Sequence, residues 1–376
     1  MKLQTILLEA SKVGRELQHS EDNLIVGGAQ KAIETLNDFK SLISNPASSS
    51  HKWDGKAAIF WGHDKQGNFY LVPLAQWNKG LLLDKKGLSR EIQGTGKRKE
   101  NQTDSAYRAE RLQLAQSYDR LWDVFEKASE GTKGFYKGDI MFSEPQRADK
   151  NGYYNFTPNK VTYTVSPDGL YGKMPTAQAF VTLHGKPTAL GSNQLSPVTD
   201  KEIQMMNRTP QLIVLGPQRP ESGLKVNTGK IDQAINAITS DSDAIDSIIN
   251  YVGPRFTTIK KVLYDYSLAS GKQNGNLKFD DWLNTSNLSQ QQRQQIDQLR
   301  STPAWKKFWK AYDIMRTIKY QIWQQLLATD RLGKSLGITA SVGGKPGGEG
   351  FVTPTGKIIN PAFRAAEPNP RFQPQN

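Results

Sequence analysis

The tetrapeptide Lys52-Trp53-Asp54-Gly55 follows a serine-rich linker at residues 45–50 and precedes an apolar run at residues 57–61. Its lysine is a candidate nucleophile, because an unprotonated amine attacks electrophilic centres. The ordinary lysine pKa of about 10.4 must then be lowered by burial or by nearby cations. The flanking residues His51 and Lys56 can supply positive charge.

Two further positions in this stretch suit a ligand-binding turn. Asp54 can accept hydrogen bonds from loop amides and so fix the turn. Gly55 removes a side chain at a point where the backbone and a ligand would have to approach closely. A plainer interpretation stays open, because Asp-Gly is also a common turn and Lys52 could be one more solvated lysine.

The composition excludes several classes of site. The chain has 376 residues, which is enough for two domains or for one domain with a large insertion. It contains no cysteine, so disulfides, thiolate zinc sites and cysteine nucleophiles are excluded. Its 4 histidines argue against a histidine-rich metal site. We expect no membrane span, since no apolar run reaches about 18 residues, and no signal peptide, since charges begin at Lys2.

The charge balance predicts a polyanionic partner. The formal net charge is +13 and the pI is near 9.5. A chain this basic most often binds nucleic acid. The alternative is a solvated basic surface with no dedicated partner.

Hydrophobic periodicity predicts an α+β protein with N-terminal helices, antiparallel sheets and a large helical insertion. The predicted strands are residues 57–61, 69–72, 135–142, 159–165, 179–184, 349–352 and 357–360. The predicted helices include residues 1–44, broken at Gly27-Gly28, residues 104–129, and residues 302–328, which begin with Thr302 as the cap and Pro303 in the first turn.

These elements divide the chain into five segments. They are an N-terminal helical segment and linker (1–50), the first part of a core domain (51–197), a helical insertion (198–334), the final strands of the core (335–366) and a Pro/Asn/Gln-rich tail that we expect to be disordered (367–376).

Two basic segments could bind polyanions. Residues 85–99 are predicted to form a mobile loop that attracts phosphate, with plain solvated disorder as an equal alternative. This loop is not a P-loop, because Glu91 stands where the first glycine is needed and Arg98 replaces Ser or Thr. The helix at residues 302–328 combines aromatic and basic residues, which can bind single-stranded nucleic acid. A buried aromatic seam with a solvated lysine face is the favoured interpretation.

Four motifs in this order resemble those of the covalent nucleotidyltransferases, the superfamily of ATP-dependent DNA ligases, RNA ligases and mRNA-capping enzymes. Lys52-Trp53-Asp54-Gly55 resembles the Lys-x-Asp-Gly nucleophile motif. Lys137-Gly138-Asp139-Ile140 resembles the third motif, and Glu349-Gly350-Phe351-Val352 is similar to the Glu-Gly-hydrophobic-Val motif. Lys357 matches the first lysine of the last motif. The resemblance implies a ligase-type nucleotidyltransferase fold.

The resemblance also implies ATP and Mg²⁺ as cofactors. Lys52 would attack the α-phosphate of ATP and hold AMP as a phosphoamidate, with Trp53, Asp54 and Gly55 contacting the nucleotide. Such an attack concentrates negative charge on the phosphoryl oxygens and on the departing pyrophosphate. Lysines and Mg²⁺ stabilise that charge, and carboxylates hold the hard cation.

The remaining matches imply four more roles. Asp139 would hold the ribose or a metal-bound water, and Glu349 would help to bind the divalent metal. Lys357 would contact the α-phosphate. Tyr163 falls where the family places an aromatic residue that stacks on the purine.

The layout resembles a tailed-phage branch of this superfamily in particular. Members carry an N-terminal His-x-Glu-Asp helix, here His19-Ser20-Glu21-Asp22, followed by Lys-Trp-Asp-Gly and the later motifs. The resemblance covers most of the chain except the helical insertion. It implies a location in the cytoplasm of a phage-infected bacterium, or association with the virion.

The chain departs from the family pattern in several ways. Asp139 replaces the usual glutamate, and Ile359 replaces the second lysine of the last motif. The insertion between Tyr163 and Glu349 is longer than in typical ligases. Only a short tail follows Lys357, so we expect no C-terminal OB domain. These departures favour an RNA-ligase-like or minimal ligase over a conventional DNA ligase or capping enzyme.

The predicted function is therefore an ATP-dependent, RNA-ligase-like polynucleotide ligase that forms a lysyl-AMP intermediate and binds nucleic-acid ends. The alternative is a non-catalytic nucleic-acid-binding or virion-associated phage protein that keeps the fold. A third interpretation is a nucleotidyltransferase that modifies a protein or a small molecule.

Overall fold

A computed structural model describes residues 19–56, 58–95, 98, 102–220, 224–251, 259–273, 277–328 and 335–366. Several predictions lie outside these residues. They are the helix before residue 19, the place of Ala57 in its strand, the loop residues Gly96, Lys97 and Lys99, the break at Gly253-Pro254, and the tail at residues 367–376.

The secondary structure of the described residues mixes helices and strands. The helices are α1 (Asn23–Ser44), α2 (Leu74–Trp77), α3 (Lys85–Gly94), α4 (Asp104–Ala128), α5 (Asp200–Met206), α6 (Thr228–Ser240), α7 (Ser242–Ile249), α8 (Ile259–Lys272), α9 (Phe279–Thr285), α10 (Gln290–Arg300), α11 (Pro303–Ala328) and α12 (Pro361–Ala365). The strands are β1 (Ser50–Lys52), β2 (Ala58–His63), β3 (Phe69–Pro73), β4 (Gly134–Phe142), β5 (Tyr154–Phe156), β6 (Thr162–Val165), β7 (Ala179–Pro187), β8 (Leu195–Ser196), β9 (Leu212–Leu215), β10 (Ile338–Val342), β11 (Lys345–Pro346), β12 (Gly350–Thr353) and β13 (Gly356–Ile359).

The chain forms two compact units. Unit 1 comprises residues 1–52, 219–330 and 347–366, and unit 2 comprises residues 53–218, 331–346 and 367–376. The sequence segmentation kept the N-terminal helices, the helical insertion and the final strands apart, whereas residues of all three lie together in unit 1. The first unit boundary falls inside the Lys52-Trp53-Asp54-Gly55 tetrapeptide.

Mixed helical and antiparallel architecture agrees with the α+β class predicted from the sequence. Neighbouring strands pair antiparallel, except that β9 runs parallel to β7. Across the described ranges, no helix combines the length and hydropathy needed to cross a bilayer.

Helix α1 contributes one side of the core of unit 1. Its apolar residues, among them Leu24, Leu36 and Phe39, recur at helical spacing and are buried. Gly28 interrupts the helix with a φ of 72°, at the break predicted from the glycine pair. A side chain at Gly28 would overlap the carboxylate of Asp246, so glycine is required there.

Helix α11 runs through the same core. The hydroxyl of Thr302 accepts a hydrogen bond from the amide of Trp305 at 3.2 Å, which confirms the predicted cap. Phe308 and Tyr312 are buried with Trp305, while Lys306 on the opposite side is exposed. The aromatic side of this helix is therefore a core seam, as the favoured interpretation held.

Lys319 corrects part of that interpretation, because it is not on the solvated basic face. It is 7% exposed and lies 2.5 Å from the carboxylate of Glu21. Arg364 contacts the same carboxylate at 2.6 Å and Asp22 at 3.2 Å. Unit 1 thus buries an ionic cluster formed by Glu21, Asp22, Lys319 and Arg364.

The two acids of the ionic cluster respond differently to burial. Burial opposes ionisation of the Glu21 carboxyl, but Lys319 and Arg364 outweigh burial and hold its pKa below the usual range. Burial raises the pKa of Asp22 to about 6, with repulsion from Glu21 in the same direction and Arg364 opposing it. The two cations therefore hold Glu21 ionised.

A three-stranded antiparallel sheet completes unit 1, in the order β1-β12-β13. Its registers align His51 with Phe351 and Phe351 with Ile358. Phe351 and Ile358 belong to the helical core, so one face of this sheet packs on the helices. Because side chains alternate along a strand, Lys52 and Lys357 lie on the opposite face.

Unit 2 contains two sheets. The larger has the order β3-β2-β4-β7-β8, with β9 beside β7, and the smaller has the order β11-β10-β6-β5. One face of the larger sheet, including Ile59, Trp61 and Tyr136, packs on the apolar sides of α3 and α4.

Two features of unit 2 differ from the sequence predictions. Residues 85–94 form the helix α3 within the segment predicted to be a mobile loop. Asp84 caps α3 by accepting from the amide of Gly87, and Leu88 and Ile92 are buried, which explains why this basic segment is ordered. Strand β9 was missed, because residues 198–218 were assigned to the helical insertion.

We predict that Lys319→Ala destabilises the protein by about 3–5 kcal/mol, because Glu21 would stay buried after losing one of its two cations. Lys306→Ala is the matched control, since it removes an exposed lysine from the same helix. Chemical denaturation of both variants measures the difference. Equal unfolding midpoints for the two variants would contradict a structural role for the cluster.

Candidate functional site

The predicted nucleophile and the predicted metal-binding acid lie in contact within unit 1. Lys52 Nζ is 2.7 Å from Glu349 Oε1, with 24% and 9% of the two side chains exposed. Strand β1 brings Lys52 there because it pairs with β12, placing Lys52 opposite Gly350. The structure thus joins the Lys-x-Asp-Gly motif to the Glu-Gly motif from the other end of the chain.

Backbone geometry around Glu349 explains the glycine that follows it. Gly350 has a φ of 147°, and a side chain there would lie 2.2 Å from the carbonyl oxygen of Ile358. Asn360, which is buried, donates from its amide to the Glu349 carbonyl at 2.9 Å and from its side chain to Gly348 at 3.0 Å. These contacts fix the backbone that carries the Glu349 carboxylate.

Lys357 lies on the same face of the three-stranded sheet as Lys52. It pairs with Val352 on β12, two residues along the strand from the Lys52–Gly350 pair. Strand spacing then separates the two lysine Cα atoms by about 12 Å. Two lysine side chains at that separation can reach one phosphate group between them.

In unit 2, Asp54 forms hydrogen bonds with other residues of the protein. Its carboxylate, buried in the structure, accepts hydrogen bonds from the amides of Lys160 at 2.5 Å and Val161 at 2.8 Å, and from the side chain of Asn159 at 2.9 Å. The backbone amide of Asp54 donates to the hydroxyl of Tyr163 at 2.8 Å. Asp54 therefore fixes the loop before β6, as expected for an acid that accepts from loop amides.

Trp53 and Tyr163 are core residues of unit 2. Their ring centroids are 5.4 Å apart, and Phe156 stacks on Tyr163 at 5.6 Å. Tyr163 is 2% exposed. In this structure the Tyr163 ring therefore packs in the core of unit 2, and its stacking on a purine stays a prediction from the resemblance. Sequence position alone could not reveal its burial.

Gly55 approaches a strand of unit 2. A side chain at Gly55 would lie 2.5 Å from the Cβ atom of Asp139, and the next amide, that of Lys56, donates to Ile140 at 2.8 Å. The close neighbour that requires glycine is therefore β4. In this way unit 2 brings the Asp-Gly part of the tetrapeptide to Asp139.

Asp139 has a partner that the sequence analysis missed. Its Oδ2 atom lies 2.9 Å from Nε2 of His184 on β7, and both side chains are partly exposed. The register between β4 and β7 passes from Gly138–Leu183 to Lys137–Gly185, so His184 is the extra residue of a β-bulge. Bulges redirect side chains. The alternation of side chains along a strand cannot predict a bulge, and no sequence motif includes His184.

Lys137 adds a cation to the same strand. Its amine lies over the ring of Phe60 at 5.5 Å and 3.3 Å from the side-chain oxygen of Asn193. Burial lowers the pKa of Lys137, and the nearby Asp139 partly offsets this effect.

The two acids that the sequence predicts as ligands of a divalent metal belong to different units. Glu349 belongs to unit 1 and Asp139 to unit 2. Within the described residues, no group of three or more His, Cys, Asp or Glu side chains is arranged to hold a metal. Mg²⁺ is often bound through one or two carboxylates together with substrate phosphates. Glu349 fits this single-carboxylate mode.

The sequence-predicted site residues thus form two groups. In unit 1, Lys52 and Lys357 lie on the small sheet and Glu349 directly precedes its strand β12, whereas Trp53, Asp54, Gly55, Asp139 and Tyr163 belong to unit 2. In comparisons with known proteins, no family model, no curated protein and no solved structure matched the chain.

We predict that Asp54→Ala destabilises the protein by about 3 kcal/mol, because three partly or fully buried donors lose their acceptor. Asp64→Ala is the matched control, since Asp64 also accepts from two turn amides, but through hydrogen bonds that are exposed to solvent. Thermal unfolding compares them. If Asp54→Ala lowers Tm no more than Asp64→Ala does, the buried Asp54 network is not a determinant of stability.

Proposed function

We propose that this protein is a covalent nucleotidyltransferase of the ligase type, with Lys52 as the nucleophile and ATP as the nucleotide. The observation that carries the proposal is the 2.7 Å contact between Lys52 and Glu349, on a sheet that also presents Lys357. Nucleotidyl transfer to an amine needs a lysine, an acid and a second cation near one phosphate. All three groups come from motifs that resemble this superfamily.

The ion pair gives Lys52 and Glu349 defined positions before substrate binds. A carboxylate beside a lysine holds the side chain in one orientation, because the charge-assisted hydrogen bond restricts its rotamers. Lys52 must leave Glu349 to attack a phosphorus atom. An incoming anionic phosphate would compete with Glu349 for the Lys52 amine.

The proposed reaction is a displacement at the α-phosphorus of ATP. The Lys52 ammonium gives up a proton to solvent, and the resulting amine forms a bond from Nζ to phosphorus. Nζ then loses a second proton to solvent, which leaves the phosphoamidate. The bond from that phosphorus to the oxygen bridging to the β-phosphate breaks, and pyrophosphate leaves with the electron pair. Lys357 stabilises the negative charge that develops on the phosphoryl oxygens.

Glu349 would hold Mg²⁺ through its carboxylate. The ion supplies positive charge that stabilises the triphosphate and the leaving pyrophosphate. For Asp139 we propose, from the resemblance alone, the ribose hydroxyls or a metal-bound water as ligand.

The second substrate we propose is a nucleic-acid 5′-phosphate. Its oxygen would attack the phosphorus of the lysyl-AMP, which regenerates the Lys52 amine, and a 3′-hydroxyl would then displace AMP to join the strands. The net charge of +13 supports a polyanionic acceptor. From the resemblance to the phage branch, we propose that this reaction takes place in the cytoplasm of an infected bacterium or on a virion.

The test is labelling of the purified protein with ATP or GTP carrying a radioactive α-phosphate, in Mg²⁺. We predict that the wild type becomes labelled and that Lys52→Arg abolishes labelling. The arginine guanidinium stays protonated at neutral pH and cannot act as the nucleophile. Glu349→Gln should lower the labelling rate at least tenfold. Lys230→Arg, at an exposed lysine of the same unit, should match the wild type.

Two outcomes would contradict the proposal. Labelling of the Lys52→Arg variant would show that the nucleophile is a different residue. A wild type that neither ATP nor GTP labels, but that binds RNA or DNA with strong salt dependence, would select the non-catalytic alternative.

A further inference from the structure

The segment His19-Ser20-Glu21-Asp22-Asn23 has an ordered place in unit 1 that the proposed reaction does not use. Residues Ser20–Asp22 form a short 3₁₀ turn that leads into α1. Ser20, Glu21, Asp22 and Asn23 are all buried, although each is polar or charged. Polar groups are buried at a cost unless they have partners, so the partners of this segment indicate its role.

Two of these partners lie on the hairpin formed by β12 and β13. The hydroxyl of Ser20 donates to the carbonyl oxygen of Lys357 at 3.0 Å, and the side chain of Asn23 donates to the carbonyl oxygen of Thr355 at 3.0 Å. His19 forms a β-bridge with Lys357. The segment therefore binds the backbone of the β12–β13 hairpin at and near Lys357.

A residue of α1 holds the same turn. The carboxylate of Asp38 accepts from the hydroxyl of Thr355 at 2.6 Å and from its amide at 3.3 Å. Thr355 lies between β12 and β13, so the turn of the hairpin is fixed from the helix as well as from the segment.

The ionic cluster anchors the segment to the rest of unit 1. Glu21 contacts Lys319 on α11, and both Glu21 and Asp22 contact Arg364 on α12. The hydroxyl of Ser267 on α8 donates to Asp22 and accepts from Tyr312. Arg364 follows β13 in the chain, so the segment contacts the chain before the strand at Thr355, within it at Lys357 and after it at Arg364.

These contacts restrain an edge strand that carries a residue of the candidate site. Strand β13 is at the edge of the three-stranded sheet, where β12 is its one strand neighbour among the described residues. A lysine side chain has several flexible bonds, so the position of its amine depends first on a fixed backbone. Ser20, at the outer edge of β13, supplies a donor to the Lys357 carbonyl.

We propose that the segment 19–23 is a positioning element that holds Lys357 in register with Lys52 across the sheet, and that Ser20 is its direct contact. The link to catalysis rests on the proposed function, whereas the positioning itself does not. Losing the Ser20 hydroxyl would loosen β13 at Lys357 while the ionic cluster keeps the segment in place.

The experiment measures amide hydrogen exchange of residues 356–359 in Ser20→Ala, alongside the rate of lysyl-nucleotide formation at saturating ATP. We expect exchange to rise about fivefold, as for the loss of one hydrogen bond, and the rate to fall with little change in the KM for ATP. Ser20→Thr keeps the hydroxyl and should behave as the wild type does. Ser247→Ala removes a serine donor from α7 and should change neither measurement.

Each outcome decides one part of the proposal. Unchanged exchange in Ser20→Ala would overturn the positioning role, and increased exchange with an unchanged rate would overturn its link to catalysis. If the wild type forms no lysyl-nucleotide, the proposed function fails. The exchange of residues 356–359 then decides the positioning role alone.

Discussion

The ion pair between Lys52 and Glu349 is the interaction on which this account depends. It joins a lysine before the first unit boundary to an acid in the last part of the chain, at 2.7 Å. The pair exists because β1 and β12 align Lys52 with Gly350. The φ of Gly350 and the hydrogen bonds of Asn360 to Gly348 and Glu349 fix the backbone around Glu349. An amine and a carboxylate with little exposure are defined in position before any ligand arrives.

Around this pair, the small sheet and the buried ionic cluster of unit 1 have different structural roles. One face of the small sheet adds Phe351 and Ile358 to the helical core, which leaves the other face for Lys52 and Lys357. The buried ionic cluster ties the start of α1 to α11 and α12. Breaking such a cluster is costly because the remaining charges stay buried. The same contacts that stabilise the fold therefore hold the edge strand of the candidate site.

Much of this architecture was predictable from periodicity and caps. The strands at residues 135–142 and 349–352 and the long helix after Thr302 match β4, β12 and α11, because alternation, helical spacing and a Thr-Pro start are local signals. Local signals also misassigned the basic segment that forms α3. Lys319 was assigned to a solvated face, although it falls in the apolar spacing between Met315 and Ile322. Its partner Glu21 is distant in sequence, so no local pattern identifies the pair.

The candidate site, too, was predictable from the sequence only in part. The order of the motifs indicated that Lys52, Glu349 and Lys357 matter together, whereas the burial of Tyr163 and the bulge at His184 depend on tertiary packing. The most direct measurement is mass spectrometry of peptides from the purified protein, before and after incubation with ATP and Mg²⁺. The account predicts an adduct of the mass of AMP on Lys52. An unmodified Lys52 under every nucleotide condition, or an adduct on another lysine, would contradict it.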